Sequence, residues 1–182
     1  TTEENSAPET PLTNIESGEV LRTYRLALAA GGGYTQFHGG TVNAALAAMT
    51  TTLNRINAIY EREFSARMEL IANNDQIIYT DPDTDPYTGT SVRDLQRQNQ
   101  INVDNVIGNE NYDIGHLFYL FSNGGNASVG SLCNNSRKAQ AVTTSYQPVG
   151  DNFDVDFVSH EMGHQFGANH TFNATESSNC NE

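Results

Sequence analysis

The run His160–Glu161–Met162–Gly163–His164–Gln165–Phe166–Gly167–Ala168–Asn169–His170 fits the pattern HExxHxxGxxH at every fixed position. Histidines four apart on a helix project from one face about one turn apart, so the imidazoles of His160 and His164 can reach a single metal ion. Glu161 follows the first of them directly, which places it beside the metal, able to hold a metal-bound water rather than ligate the metal itself. Gly167 can leave the helix with a positive φ that other residues adopt only at a cost. After that turn His170 can supply a third nitrogen. Three histidines leave the fourth position of a tetrahedral zinc open to water, which is the catalytic arrangement and not the closed structural one. The chemistry such a group performs is hydrolysis: the metal acidifies the water and polarises a carbonyl, while Glu161 moves the proton. A pair of satisfied core histidines, or a closed structural metal site, would leave Glu161, Gly167 and His170 as accidents.

The elements that position these residues are legible upstream. Asp151 and Asn152 follow Gly150 and offer N-cap oxygens for a helix. Phe153, Phe157, His160 and His164 form one stripe at helical spacing, and Val155, Val158, Met162 and Phe166 form a second. Two apolar stripes predict a helix buried on both, in which a bound cation would relieve the desolvation of the histidines and glutamate. Earlier in the chain, Thr1–Gly18 is rich in Thr, Glu, Asn, Ser and Pro and predicts an extended lead-in. Val20–Ala30 contains a strand-like stretch, and Gly31–Gly32–Gly33 then reads as a flexible turn. No Gly-Lys-Ser/Thr follows, so this is not a phosphate loop. Thr41–Tyr60 is amphipathic, with Val42, Ala45, Leu46, Met49, Leu53, Ile56, Ile59 and Tyr60 along one side, and predicts a helix backing a sheet. Strands are expected over Phe64–Ala72, Gln76–Tyr79, Tyr112–Phe121 and Lys138–Tyr146, with Val92–Ile107 a helical or turn-rich connection. The order implies an α/β domain.

The long motif, with Met162–Gly163 inside it, resembles that of the metzincin zinc endopeptidases, most closely their adamalysin/reprolysin-like branch. Tyr112–Asp113–Ile114–Gly115–His116–Leu117, Val129–Gly130–Ser131–Leu132–Cys133 and Arg137–Val142 extend the likeness upstream. His170–Thr171–Phe172 is also similar to the pappalysin branch. The resemblance implies a metzincin-like upper subdomain: a twisted mixed sheet with a substrate-binding edge strand near Ala127–Leu132, a backing helix and a zinc-binding active-site helix. It assigns zinc to His160, His164 and His170 and catalysis to Glu161. Metzincins carry a methionine turn beyond the third histidine, whereas the methionines here are Met49, Met68 and Met162. Residues 19–182 are therefore expected to be the upper part of a catalytic domain without its lower subdomain, to be completed by a C-terminal segment or a second chain, with apolar surface exposed around Met162 and Phe166.

Composition agrees with this without suggesting it. The chain carries 22 acidic and 9 basic residues, a net charge of −13, which argues against nucleic acid and anionic membranes as partners. No apolar run approaches a membrane span, and no signal peptide opens the chain, so an exported mature protein left by propeptide removal is expected. Two cysteines in an exported chain imply one disulfide, Cys133–Cys180, whereas the family resemblance implies that each pairs further downstream. Asp81, Asp83 and Asp85 alternate as calcium ligands do. The EF-hand positions hold Pro86 and Val92 instead of Gly and Glu, so either a non-EF calcium site or an Asp/Pro turn is expected there. Asn126, Asn134 and Asn173 head glycosylation triplets. His38 and His116 are expected to be ordinary polar or packed residues, with His116 bordering the cleft. The resulting expectation is a secreted zinc endopeptidase acting on extended peptides. Its alternative is a catalytically silent or incomplete peptide-binding module on the same scaffold.

Overall fold

The computed structural model describes residues 18 and 20–170; all but Gly18 of the expected lead-in, as well as Cys180 and Asn173, lie outside the described residues. Five strands, β1 (Arg22–Ala30), β2 (Ala66–Leu70), β3 (Ile114–Tyr119), β4 (Gly124–Ala127) and β5 (Ala141–Thr144), form one sheet in the order β2-β1-β3-β5-β4. The first four in that order run parallel, and β4 alone is antiparallel, at the edge beside β5. The sheet is mixed, with an edge strand, as the family resemblance implies.

Alternation along β1 divides the core into two layers. Leu26, Leu28 and Ala30 face one side, Ala27 and Ala29 the other, and all five are fully buried because helices cover both faces. On the first face lies the long helix α2 (Val42–Phe64), which follows the short α1 (Gly32–Phe37). Thr41 caps α2 by accepting from the Ala44 amide at 3.2 Å. Ala45, Met49, Leu53, Ile56 and Tyr60 then meet Leu26, Met68, Ile114 and Phe118. This is the expected backing helix. On the second face α3 (Val92–Val106) buries Leu95 and Val103 against Leu117 and Val142.

The rest of α3's inward face is polar. Asn99 donates to the Ala139 carbonyl at 2.8 Å, Gln100 accepts from the Ala139 amide at 2.7 Å, and Gln96 donates to the Gln140 carbonyl at 2.8 Å. These amides satisfy the irregular backbone that leads into β5. A helix that docks through amides shows a weak apolar period, which is why its sequence reads equally as a turn-rich connection.

Several expectations are corrected. Gly31–Gly33 is not a flexible turn: Gly31 precedes α1, and a Cβ at Gly32 would fall 2.2 Å from the Pro82 nitrogen. Gln76–Tyr79 is not a full strand; Asn74–Ile77 is a 3₁₀ turn, with a single bridge from Ile78 to Ala30. The helix carrying the histidines is α4 (His160–Phe166), preceded by a π-helical stretch, Asn152–Ser159. The wider π turn replaces the expected Phe153/Phe157 stripe, so Phe153 buries together with Val158, five residues on, and then with Met162. Asp151 does not cap this segment and pairs with Arg55 instead. Nor is the segment covered all round, since Asp156 and His160 are exposed. Met162 is fully buried and Phe166 half-buried, so the apolar surface expected at Met162 is absent.

Candidate functional site

Each functional side chain is held by an element whose own bonds are complete. The π stretch is anchored to α2: buried Asp154 accepts from the Thr52 hydroxyl at 2.7 Å and from Arg55 at 2.6 Å, and the Tyr60 hydroxyl donates to the Ser159 carbonyl at 2.7 Å. α4 is anchored to the sheet by the buried side chain of Gln165. Its Nε2 donates to the Gly115 carbonyl at 2.9 Å and the Lys138 carbonyl at 3.1 Å, while Oε1 lies 3.0 Å from His116 Nδ1. The loop after β4 clasps the other side, with the Gly130 amide donating to the His164 carbonyl at 2.9 Å and the Leu132 amide to Gln165 at 3.1 Å. Gly167, with φ +105°, ends α4; its amide bonds the His164 carbonyl, and Ala168 bonds Gly163. The chain then folds back so that His170 faces the helix.

The outcome is a cluster of three imidazoles. The Nε2 atoms of His160 and His164 are 3.0 Å apart, His164 and His170 also 3.0 Å, and His160 and His170 3.1 Å. His164 Nδ1 donates to the Ala168 carbonyl at 2.7 Å, which puts its proton on Nδ1 and leaves Nε2 with a lone pair. Burial and the two neighbouring imidazoles lower the pKa of His160, favouring its neutral form. Three converging nitrogens at these separations suit one ion bound at about 2.0–2.1 Å, and soft imidazole donors suit zinc. Among the described residues this is the one group of His, Cys, Asp or Glu side chains able to hold a metal.

Glu161 stands beside the trio with 8% of its surface exposed. Burial lifts its carboxyl to about 7, against a smaller opposing pull from His164. A carboxyl tuned toward neutrality in a cleft is suited to moving protons. The cleft, about 290 Å³, is lined by Gly125, Asn126, Ala127, Val129, Glu161, His164, Asn169 and His170. One wall is therefore β4. The strand lies earlier than the expected Ala127–Leu132, because Gly130 with φ +61° turns the chain toward α4 instead of extending the sheet.

A model of the reprolysin-like metallo-peptidases, family M12B, matches residues 20–182. The chain belongs to this family. The fold is also similar to that of a solved chain titled "Structure of a chaperone-substrate complex", with a TM-score of 0.52 over 80% of this chain. Identity is 13%, so that likeness concerns the fold alone, and the present chain spans 23% of that longer one. Curated proteins give no match. In this member of the reprolysin-like family the sequence motif and the structural cluster coincide: His160, Glu161, His164 and His170 are brought together.

Other candidates are not. Asp81 spends its carboxylate on the Asp83 amide and the Thr84 hydroxyl, and Asp85 spends both oxygens on the Gly32 and Tyr87 amides, so with Asp83 they build a turn and not a calcium ligand set. His116 does not border the cleft; it is fully buried behind α4. His38 packs tilted against Tyr34, with ring centroids 4.4 Å apart, outside the trio. Cys133 is exposed, and its expected partner Cys180 lies outside the described residues. The residues that sequence reasoning missed are Gln165, Asn169 and the glycines of β4. Gln165 and Asn169 occupy unspecified places in the motif, and only the weak period of a four-residue strand marked Gly124–Ala127.

Proposed function

We propose that this reprolysin-like chain is a secreted, zinc-dependent endopeptidase domain, with His160, His164 and His170 as ligands and Glu161 as general base. The observation that carries this is a buried carboxyl that shares one cleft with three converging imidazoles and the edge strand β4. A bound zinc supplies Lewis acidity, polarising a carbonyl and acidifying water. Among the described residues β4 has a partner on one side only, so an extended peptide can add to its other edge through main-chain bonds and be oriented across the cleft. Glu161 takes a proton from the water that adds to the carbonyl carbon and returns it to the amine nitrogen as the C–N bond breaks. Export is part of the proposal; the acidic composition agrees with it without suggesting it.

Metal analysis and peptide hydrolysis test it together. One zinc per chain is expected, lost in His164→Ala and retained in Glu161→Gln. Glu161→Gln should lower turnover of an unstructured peptide by about 10²–10⁴-fold. Full turnover in Glu161→Gln would exclude Glu161 as the base. Zinc retained in all three single His→Ala variants would exclude the ligand set.

A further inference from the structure

β4 begins with two glycines that differ in why they are glycine. Gly124 has φ +136°, and a Cβ there would meet nothing within 4 Å, so its backbone conformation demands glycine. Gly125 has no positive φ, and its backbone would accept any residue. Its demand is for space. A Cβ on Gly125 would fall 2.5 Å from Cγ and 2.8 Å from Cδ of Glu161, and 2.7 Å from the Val142 carbonyl oxygen. Atoms in real structures do not approach so closely, so β4 and the Glu161 side chain lie against each other at this one point.

The contact matters because of what Glu161 lacks. Its carboxylate makes no hydrogen bond among the described residues, unlike Gln165 and His164 on the same helix, each of which is fixed by partners. A side chain with three rotatable bonds and no partner is held only by packing. The backbone of Gly125 provides that packing on the side where a substrate strand would join the sheet.

We propose that Gly125 is a positioning residue for the reaction: its bare Cα forms the wall that confines Glu161 to the rotamer facing the imidazole trio, with room for no larger residue. This rests on the reading of Glu161 as the base. With any side chain at 125, either the Glu161 carboxylate swings away from the trio or β4 lifts from β5. The first change lowers turnover without altering zinc binding or the ground-state binding of peptide.

The test is a double-mutant cycle on the zinc-loaded protein, combining Gly125→Ala with Glu161→Ala. Three readouts are taken: zinc per chain, the midpoint of thermal unfolding, and kcat and KM for an unstructured peptide. Gly125→Ala is expected to keep one zinc, to leave KM within about threefold and to lower kcat at least about tenfold. Its loss in midpoint should shrink by more than half when Glu161 is already alanine, since the clashing Cγ and Cδ are gone. If Gly125→Ala alone fails to fold, the double variant should fold. An equal loss in both backgrounds, or failure of both to fold, would place the clash at the Val142 backbone and overturn the proposal, as would unchanged kcat. Failure of the functional reading is separate: it shows as full turnover in Glu161→Gln, whatever Gly125→Ala does.

Discussion

A neutral imidazole at His116 is required by its surroundings. Gln165 Nε2 is committed to two carbonyls, so Oε1 faces His116 and must accept from Nδ1–H, leaving Nε2 to accept from the Thr143 hydroxyl at 2.8 Å. Burial therefore lowers the His116 pKa to about 4, while the bond to Gln165 opposes this weakly. The sign follows from linkage. Above the unfolded value of about 6.5 both states are neutral and stability is full, but as pH falls from there toward 4 only the unfolded chain takes up the proton. Stability should fall across that window by as much as about 3 kcal/mol from this residue and change no further below it. Denaturant midpoints of metal-free protein between pH 7 and 4 check this, and His116→Gln should flatten the limb. Gln165 gives a second prediction. Gln165→Leu takes the acceptor from His116 Nδ1 and a donor from the Gly115 and Lys138 carbonyls, the second of which keeps the Gly115 amide, so it should cost about 2 kcal/mol or more in urea unfolding. Histidine and glutamate spacing made the clustered groups of the proposed site legible in sequence. The groups that aim them were not, because a glutamine at an unspecified position carries no signal until the strand it bonds is in place.

At the scale of elements, the π stretch and the αL turn frame the trio from either end. Asp154 holds the π stretch to α2 through Thr52 and Arg55, and its side chain is 4% exposed. Asp154→Ala strands the buried Thr52 hydroxyl and leaves Arg55 with Asp151 alone, and should cost about 2 kcal/mol in unfolding free energy. It should also weaken zinc binding, because His160 follows the stretch directly; calorimetric titration with zinc measures this. Gly167 differs in kind. A Cβ there would meet only the Gly130 Cα, at 4.0 Å, so Gly167→Ala fits sterically and costs about 1 kcal/mol for the positive φ alone. Any loss of zinc affinity in that variant beyond the loss in stability reports His170 moving off the trio. Sequence periodicity identified α2 and four of the strands because their burial is apolar and regular. It failed for the helix before His160, where Asp154 and Asp156 interrupt the stripes and the π turn breaks the 3.6-residue period on which such reading depends. The edge strand was misplaced for a different reason: the family resemblance of Val129–Cys133 set it downstream, and four residues, two of them glycine, carry too little strand propensity to mark its true position.

At the scale of the whole molecule, the sheet is assembled from pairings distant in sequence: β1 meets β3 through Leu26 and Ile114, and β3 meets β5 through Leu117 and Val142. All five strands precede His160, His164 and His170, and α4, which carries two of the three imidazoles, is fixed to β3 by Gln165 and to the Gly130–Leu132 loop. Time therefore enters the design. Closing loops between distant strands is slow, and a helix of seven residues is too short to hold His160 and His164 in place by itself before it is done. Zinc should then be a late arrival, bound by the native state and absent from the transition state for folding. Stopped-flow measurements in denaturant should find refolding rates unchanged by zinc and unfolding rates slowed in its presence, so that the ion acts as a latch on a molecule that has already found its shape.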